Sequence, residues 1–317
     1  MSDTFSLNLL HILWENSKKK KSKRLYKKAV YPKGIENRYR RFIQGVYLPL
    51  VDYTQKYIED NSKVILNGDK REDEVPGGSF RVMVTNMNSW LALYFPMLSD
   101  EVRTNSVVYM GISDFAEQIK KSSSKEFSSQ VAGGIGVEFD TQSTWWENAK
   151  RNWADLEYGY VQSNAQNYVS KVNTIVEEGV VNGWSRVYLT ERILQASEGL
   201  SEKKARFLAR DGVGKLHGLI AQAQFQDINL DMYIWQTSGD ERVRGTPGGL
   251  WEDSVPSHFL MDGLLCRWDD ANVCSHDGGK TWEERPSEAV RLHPGMDYQC
   301  RCQALIYYPE LINLVES

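Results

Sequence analysis

Apolar residues recur at steps of three and four through the first two thirds of the chain, which is the spacing of one face of an α-helix. One such stripe covers residues 39–51, and Pro49 inside it predicts a kink. Longer stripes cover residues 145–176 and 205–220. The pattern therefore predicts a mainly helical region.

Helix boundaries are predicted from residues that cap or break helices. Residues 67–79 read as a loop because they combine Asn-Gly, a charge cluster and a Pro-Gly-Gly sequence. Gly183 predicts a helix end, and Thr190 and Ser201 predict the first turns of the next two helices.

The pattern changes after residue 230. Residues 232–237 and 302–307 are short runs rich in aromatic and β-branched side chains, which predict strands. We therefore expect an α+β protein, with a mainly α-helical N-terminal region and a small α+β C-terminal domain. The expected division is an N-terminal arm over residues 1–34, a helical region over 35–199 and the C-terminal domain over 200–317.

The net charge of −4 conceals a strongly basic segment. Residues 18–41 hold 12 basic residues and one acidic residue, which leaves the rest of the chain at −15. A basic arm on an acidic body indicates a polyanionic partner, and we expect non-specific binding to double-stranded DNA. A solvated tail is the alternative, and a membrane surface is disfavoured. The candidate DNA-binding residues are Lys18, Lys19, Lys20, Lys21, Lys23, Arg24, Lys27 and Lys28.

The cysteine count and the hydropathy bear on the compartment. All four cysteines follow residue 265, which is too few and too local for a disulfide scaffold. No apolar run approaches the roughly 18 residues that span a bilayer. The apolar stretch at residues 5–14 precedes its lysines, whereas a secretory signal has its basic residues first. We expect synthesis in the cytoplasm of the producing cell.

Several catalytic and nucleotide-binding motifs are missing from the sequence. Gly134 and Gly136 are not followed by the third glycine of a dinucleotide-binding fingerprint, because Phe139 stands there. The sequence before Gly279-Lys280-Thr281 has Cys274 where a phosphate-binding loop needs glycine. H-E-x-x-H and G-x-S-x-G are absent, so no catalytic residue is assigned.

The C-terminal third contains a specific constellation. Residues 235–244 follow the pattern W-x-T-x-x-D-x-R-V-R, and a histidine, an Asp-Gly pair, a Pro-Gly pair and Cys-Arg-Cys come after it in that order. This order resembles the phage head morphogenesis family, whose type member is protein F of phage Mu. The resemblance covers residues 140–308, most firmly 200–308. The residues that carry it are Trp235, Thr237, Asp240, Arg242, Arg244, His258, Asp262, Gly263, Pro294, Gly295, Cys300, Arg301 and Cys302.

Two positions differ from the family's pattern. The family's histidine follows the second arginine by about three residues, whereas residues 245–257 intervene here and predict an inserted surface loop. Gln299 stands where Asn is frequent before Cys-Arg-Cys.

The resemblance implies a minor capsid protein of a tailed bacteriophage, located in the virion near the portal and in the host cytoplasm during assembly. The implied partners are the portal protein and a major capsid or scaffolding protein, with DNA contact during packaging or ejection. Binding rather than catalysis is expected. The alternative is a metal-dependent hydrolase or toxin-like enzyme built on the His- and Cys-rich C-terminal domain.

The charged motif residues allow three interpretations. If the strand continues to Arg244, then Asp240, Arg242 and Arg244 share one face, and a carboxylate between two guanidiniums would fix the fold. We favour this structural role. The alternatives are an acid–base pair of Asp240 and His258, or a surface for a partner.

The C-terminal domain also contains candidate metal ligands. Thiolates and imidazoles are the ligands of tetrahedral zinc sites, and Cys300 and Cys302 would face one side of a strand. The spacing does not match a C-x-x-C knuckle, so no cofactor is expected, and packed, reduced thiols are favoured over structural zinc or a disulfide. The candidate ligands are His258, Cys266, Cys274, Cys300 and Cys302.

Overall fold

The computed structural model describes residues 29–66, 77–95, 103–132 and 144–307. These residues pack as two units, each built from separate stretches of the chain. The helical unit contains the described residues of 34–117 and 144–212. The mixed unit contains the described residues of 29–33, 118–143 and 213–317. The contiguous division at residue 200 stays a prediction.

The predicted helical region and the predicted α+β class are both confirmed. Pro49 lies inside the first helix, which continues past it. The helices are α1 (Lys33–Leu66), α2 (Gly77–Tyr94), α3 (Val107–Ala132), α4 (Thr144–Val181), α5 (Arg186–Glu198) and α6 (Ala205–Asp227).

Three predicted helix boundaries are wrong. Ser185 caps α5, since its hydroxyl accepts from the backbone N–H of Tyr188 at 3.2 Å, and Thr190 lies inside the helix. No helix begins at Ser201, because a π-helix over Gly199–Lys204 joins α5 to α6 without a break. The helix α2 begins at Gly77, inside the expected loop.

The core of the helical unit contains paired polar groups among its aromatic rings. The hydroxyl of Tyr39 donates to the buried carboxylate of Glu157 at 2.9 Å, and the indole N–H of Trp153 donates to the carbonyl of Gly212 at 3.0 Å. Burial, reinforced by Glu157, raises the pKa of Tyr39 well above its usual value. These two buried donors thus each have a partner, which offsets the cost of burying them.

The mixed unit is built on a three-stranded antiparallel sheet in which β1 is central. Its neighbours are β2 and β5, with Tyr233 opposite both Cys266 and Ile306. Two further strands pair with each other. The predicted strands correspond to β1 and β5. The strands are β1 (Met232–Gln236), β2 (Leu265–Arg267), β3 (Val273–Cys274), β4 (Glu283–Glu284) and β5 (Gln303–Ile306).

Helices α3 and α6 complete the core of the mixed unit. Phe127 of α3 packs against Phe225 of α6 with ring centroids 5.4 Å apart. Nearby, the Nε2 atom of the buried His217 lies 2.5 Å from the side-chain oxygen of Gln303, and its Nδ1 atom hydrogen-bonds to Ser123. Burial lowers the pKa of His217 to about 4, so the ring is neutral. Its Nδ1 atom therefore accepts a hydrogen bond from the hydroxyl of Ser123. Within the described stretches, no helix has the length and apolar content to cross a membrane.

Candidate functional site

The end of strand β1 is fixed by the Asp-Gly pair of the sequence motif. Trp235 is fully buried on the core face of β1, where alternate residues point inward. The backbone N–H and the hydroxyl of Thr237 both donate to one oxygen of Asp262, at 2.7 and 2.9 Å. The N–H of Gly263, whose φ of 80° favours glycine, donates to the carbonyl of Trp235 at 2.8 Å.

The charged motif residues do not alternate along a strand, because β1 ends at Gln236. That prediction is wrong. Asp240 instead binds Arg301 through two hydrogen bonds of 2.6 and 2.7 Å, a bidentate pair. Arg242 contributes its backbone N–H to Asp240 at 3.1 Å, while its side chain is exposed. The predicted carboxylate–guanidinium pairing therefore exists with a different arginine.

The Asp240–Arg301 pair is stabilised electrostatically. The hydrogen bonds from Arg301 hold the pKa of Asp240 below its usual value, although burial opposes the shift. Asp240 is 40% exposed and Arg301 15%, so solvent screens only part of the attraction.

Arg244 belongs to a second network. Its Nη2 atom lies 2.5 Å from Asp297 Oδ2, 3.1 Å from the carbonyl of Tyr298 and 2.7 Å from His258 Nε2. The other oxygen of Asp297 accepts from the N–H of Tyr298 at 2.7 Å. The hydrogen bonds from His258 and Tyr298 and the charge of Arg244 lower the pKa of Asp297 to about 2, against the effect of burial.

The protonation of His258 follows from counting hydrogens. Nη2 of Arg244 has two hydrogens, and two oxygens accept them, from Asp297 and Tyr298. Nε2 of His258 therefore keeps its own hydrogen and donates it to Asp297, 2.8 Å away. The Asp297 hydrogen bond and the adjacent Cys300 raise the pKa of His258, against the effect of burial.

The other nitrogen of His258 faces two thiols. Nδ1 lies 3.3 Å from Sγ of Cys302 and 3.5 Å from Sγ of Cys300. The three residues are buried, and one ligand atom from each lies within 4.8 Å of the others. They are the residues of this site that could hold a metal ion.

The two thiols of this cluster differ in acidity. Burial alone would raise the pKa of Cys300, but the hydrogen bond from Cys302 and the imidazole of His258 hold it well below its usual value. The hydrogen bond with Cys300, together with burial, raises the pKa of Cys302 well above its usual value. A single proton shared between two sulfurs accounts for both directions.

Cys266 and Cys274 are not part of the cluster, so the structure brings together three of the five ligands predicted from the sequence. Both are buried at β2 and β3, and all four cysteines are free thiols. Burial raises the pKa of Cys266 to about 11, although the guanidinium of Arg285 lowers it. Arg285 itself is buried, donates to the carbonyls of Val290 and Leu292 and lies over the ring of Trp235.

The Pro-Gly pair of the motif packs against two helix glycines that the sequence analysis did not identify. A Cβ on Gly214 would lie 2.6 Å from the carbonyl oxygen of Cys300, and one on Gly218 would lie 2.4 Å from that of Pro294. Gly295 has a φ of 84° and fits against the same helix face. The i, i+4 spacing in α6 was the available signal, because it places both glycines on one face.

Asp297 was also missed, although it contacts both Arg244 and His258. It belongs to no motif, and its signal was only its position three residues before Cys300. The candidate DNA-binding residues, from Lys18 to Lys28, lie outside the described residues.

Comparisons with known proteins agree with this constellation. Residues 170–305 match the family model described as phage Mu protein F like protein. An uncharacterized protein of Haemophilus influenzae (strain ATCC 51907 / DSM 11121 / KW20 / Rd) is 29% identical over 142 residues, 45% of this chain. The match spans only 26% of that relative's length. No solved structure matches. Residues 170–305, which include most of the sequence motif, are therefore similar to phage Mu protein F-like proteins.

Proposed function

We propose that the protein is a minor head protein of a tailed bacteriophage, which binds the portal protein and inner capsid during head assembly. The observation that supports the proposal is that charged residues of the family motif form ion pairs within the fold. Asp240 pairs with Arg301, and Arg244 with Asp297, so both pairs join segments that are distant in sequence. This is the role expected of a rigid binding module.

The acid–base interpretation of Asp240 and His258 receives no support from their contacts. Asp240 pairs with Arg301, and His258 hydrogen-bonds to Asp297. A general base needs a proton within hydrogen-bond reach and a place for the substrate. His258 is buried, which leaves no open approach to its ring.

The inserted loop supplies a surface on which a head protein could dock. Backbone hydrogen bonds order the loop, from Gly245 to Trp251 at 2.8 Å and from Leu250 to Glu241 at 2.7 Å. Its apolar side chains nevertheless point into solvent: Leu250 is 60% exposed, Trp251 56% and Val255 69%. Ordered, exposed apolar side chains with a tryptophan at their centre are typical of protein interfaces.

The test is native mass spectrometry of the protein co-expressed with the portal protein from the same genome. We expect a complex of defined stoichiometry, which the double variant Leu250→Ala/Trp251→Ala weakens at least tenfold. The matched control is Leu156→Ala/Tyr160→Ala, which removes two exposed apolar side chains from α4 and should bind as the wild type does. A folded wild-type protein that forms no complex at low salt would contradict the proposal.

DNA contact through the basic arm is a separate element of the proposal. Its support is the sequence alone, with 12 basic residues among residues 18–41. Within a filled head, DNA is an abundant polyanion, and such a segment would bind it without sequence preference.

A further inference from the structure

We propose that His258, Cys300 and Cys302 bind a thiophilic divalent cation, with zinc as the ion expected in the cell. The proposal is independent of any partner in the head. It rests on the orientation of three buried ligand groups, on their distances, and on the charges that surround them.

The sulfur of Cys300 is held in place by the backbone. Sγ of Cys300 accepts hydrogen bonds from the N–H groups of Gly295 and Cys302, both at 3.4 Å. Backbone N–H groups aimed at sulfur favour its thiolate form, and the thiolate is the form that binds metals. The Pro294–Gly295 turn packed on α6 therefore positions a metal-binding sulfur as well as the chain.

The imidazole is oriented as a ligand. Nε2 of His258 donates its hydrogen to Asp297, and Nδ1, which faces the two sulfurs, is the nitrogen that would bind the ion in place of a proton. Metal-binding histidines commonly donate their second nitrogen to a carboxylate, which fixes both the ring and its tautomer. Asp297 is held in turn by Arg244 and by the N–H of Tyr298.

The distances fit a tetrahedral ion. Zinc binds nitrogen at about 2.0–2.1 Å and sulfur at about 2.3 Å, so two such ligands in a tetrahedron lie about 3.6 Å apart. The observed separations from Nδ1 of His258 are 3.3 Å to Cys302 and 3.5 Å to Cys300. Three protein ligands leave the fourth position of the ion to a water molecule or another small ligand.

The charges of the surrounding groups also fit a bound divalent cation. Two thiolates neutralise a dication, and the carboxylate of Asp297 neutralises the guanidinium of Arg244. The buried site is then neutral overall, which avoids the large cost of an unpaired charge away from water. The fully buried Trp235, whose ring stands edge-on to that of His258 with centroids 6.0 Å apart, shields the site.

The test is a titration of the full-length, reduced protein with Co²⁺ under anaerobic conditions. We expect thiolate-to-cobalt charge-transfer absorption that saturates at one equivalent per chain and is displaced by Zn²⁺. Cys302→Ser should weaken Co²⁺ binding at least a hundredfold. Cys266→Ser, which removes a buried thiol outside the cluster, should bind as the wild type does. A wild-type protein without this absorption would overturn the proposal, and so would equal losses in the two variants.

A second measurement uses the unmodified chain, in case Cys302→Ser fails to fold. The rate of iodoacetamide labelling is followed for each cysteine by peptide mass spectrometry, with Zn²⁺ and with a chelator. Zinc should slow the labelling of Cys300 and Cys302 at least tenfold more than that of Cys266 and Cys274. Equal effects on all four thiols would overturn the proposal.

Discussion

The carboxylate of Asp240 and the guanidinium of Arg301 form two parallel hydrogen bonds across 61 residues of sequence. The pair joins the segment that follows β1 to the residues that enter β5. Since Arg301 stands between Cys300 and Cys302, it also fixes the segment that carries both thiols of the buried cluster.

Removing Arg301 should therefore destabilise the mixed unit. We expect Arg301→Ala to lower the free energy of unfolding by about 1–3 kcal/mol, because a bidentate pair is lost and Asp240 keeps its charge. Arg301→Lys should recover only part of this, since an ammonium cannot form the two parallel bonds. Urea unfolding of the wild type and of the two variants measures both changes in the free energy of unfolding.

The matched control is Arg206→Ala, which removes an exposed pair with Glu202 in the same chain. A surface pair of this kind contributes about 0.5 kcal/mol or less. Equal losses for Arg301→Ala and Arg206→Ala would show that the Asp240 pair has no structural role.

Stability should fall in mild acid because of His217. Burial lowers the pKa of His217 to about 4, whereas an unfolded histidine titrates near about 6.5. Between these values the unfolded chain binds a proton that the folded chain does not, so stability falls as the pH decreases through this window. The slope expected from one such group is about 1.4 kcal/mol per pH unit.

Urea unfolding of wild type and His217→Gln at several pH values isolates this contribution. His293, whose pKa burial also lowers to about 4, adds to the wild-type slope and remains in the variant. We expect a shallower slope for His217→Gln than for the wild type. Parallel curves for wild type and His217→Gln would refute the assignment.

Replacing either of two helix glycines with alanine should change the stability of the protein, and the two changes should have opposite signs. Gly218→Ala would place a Cβ 2.4 Å from the carbonyl oxygen of Pro294, which is backbone and cannot move aside cheaply. We expect a loss of about 2 kcal/mol or more. Gly159→Ala in α4 has no heavy atom within 4 Å of the new Cβ and should raise stability by about 0.4–1 kcal/mol. Thermal unfolding distinguishes the two, and similar melting temperatures would contradict the close packing.

DNA binding by the basic arm is testable by charge removal without a change in length. We expect the wild type to bind duplex DNA with an affinity that falls steeply as salt rises. Replacing Lys18, Lys19, Lys20, Lys21, Lys23, Arg24, Lys27 and Lys28 with glutamine should weaken binding and flatten its salt dependence. An equal number of substitutions among exposed basic residues elsewhere is the control. Unchanged binding after the arm substitutions would show that the arm does not contact DNA.

Periodic patterns in the sequence predicted α1, α4 and α6, and composition predicted the two longer strands, because each pattern reflects burial within one element. Helix boundaries were harder to predict, because Thr190 and Ser185 are both residue types that cap helices, and the structure has Ser185 as the cap of α5. The sequence identified Asp240 as half of an ion pair, but it offered Arg242 and Arg244 as the nearest partners. Arg301 was selected by the folding of β5 beside β1, which no local pattern encodes.

The backbone where the inserted loop begins and ends is itself hydrogen-bonded. The carbonyl of Arg244 accepts from the N–H groups of His258 and Phe259, at 3.0 and 3.1 Å. The two ends of the insertion therefore meet, and the residues between them leave and return at nearly the same point. Loop length is thus independent of the geometry that holds Arg244 against Asp297. The loop can therefore change in length or sequence while the fold beneath it stays the same.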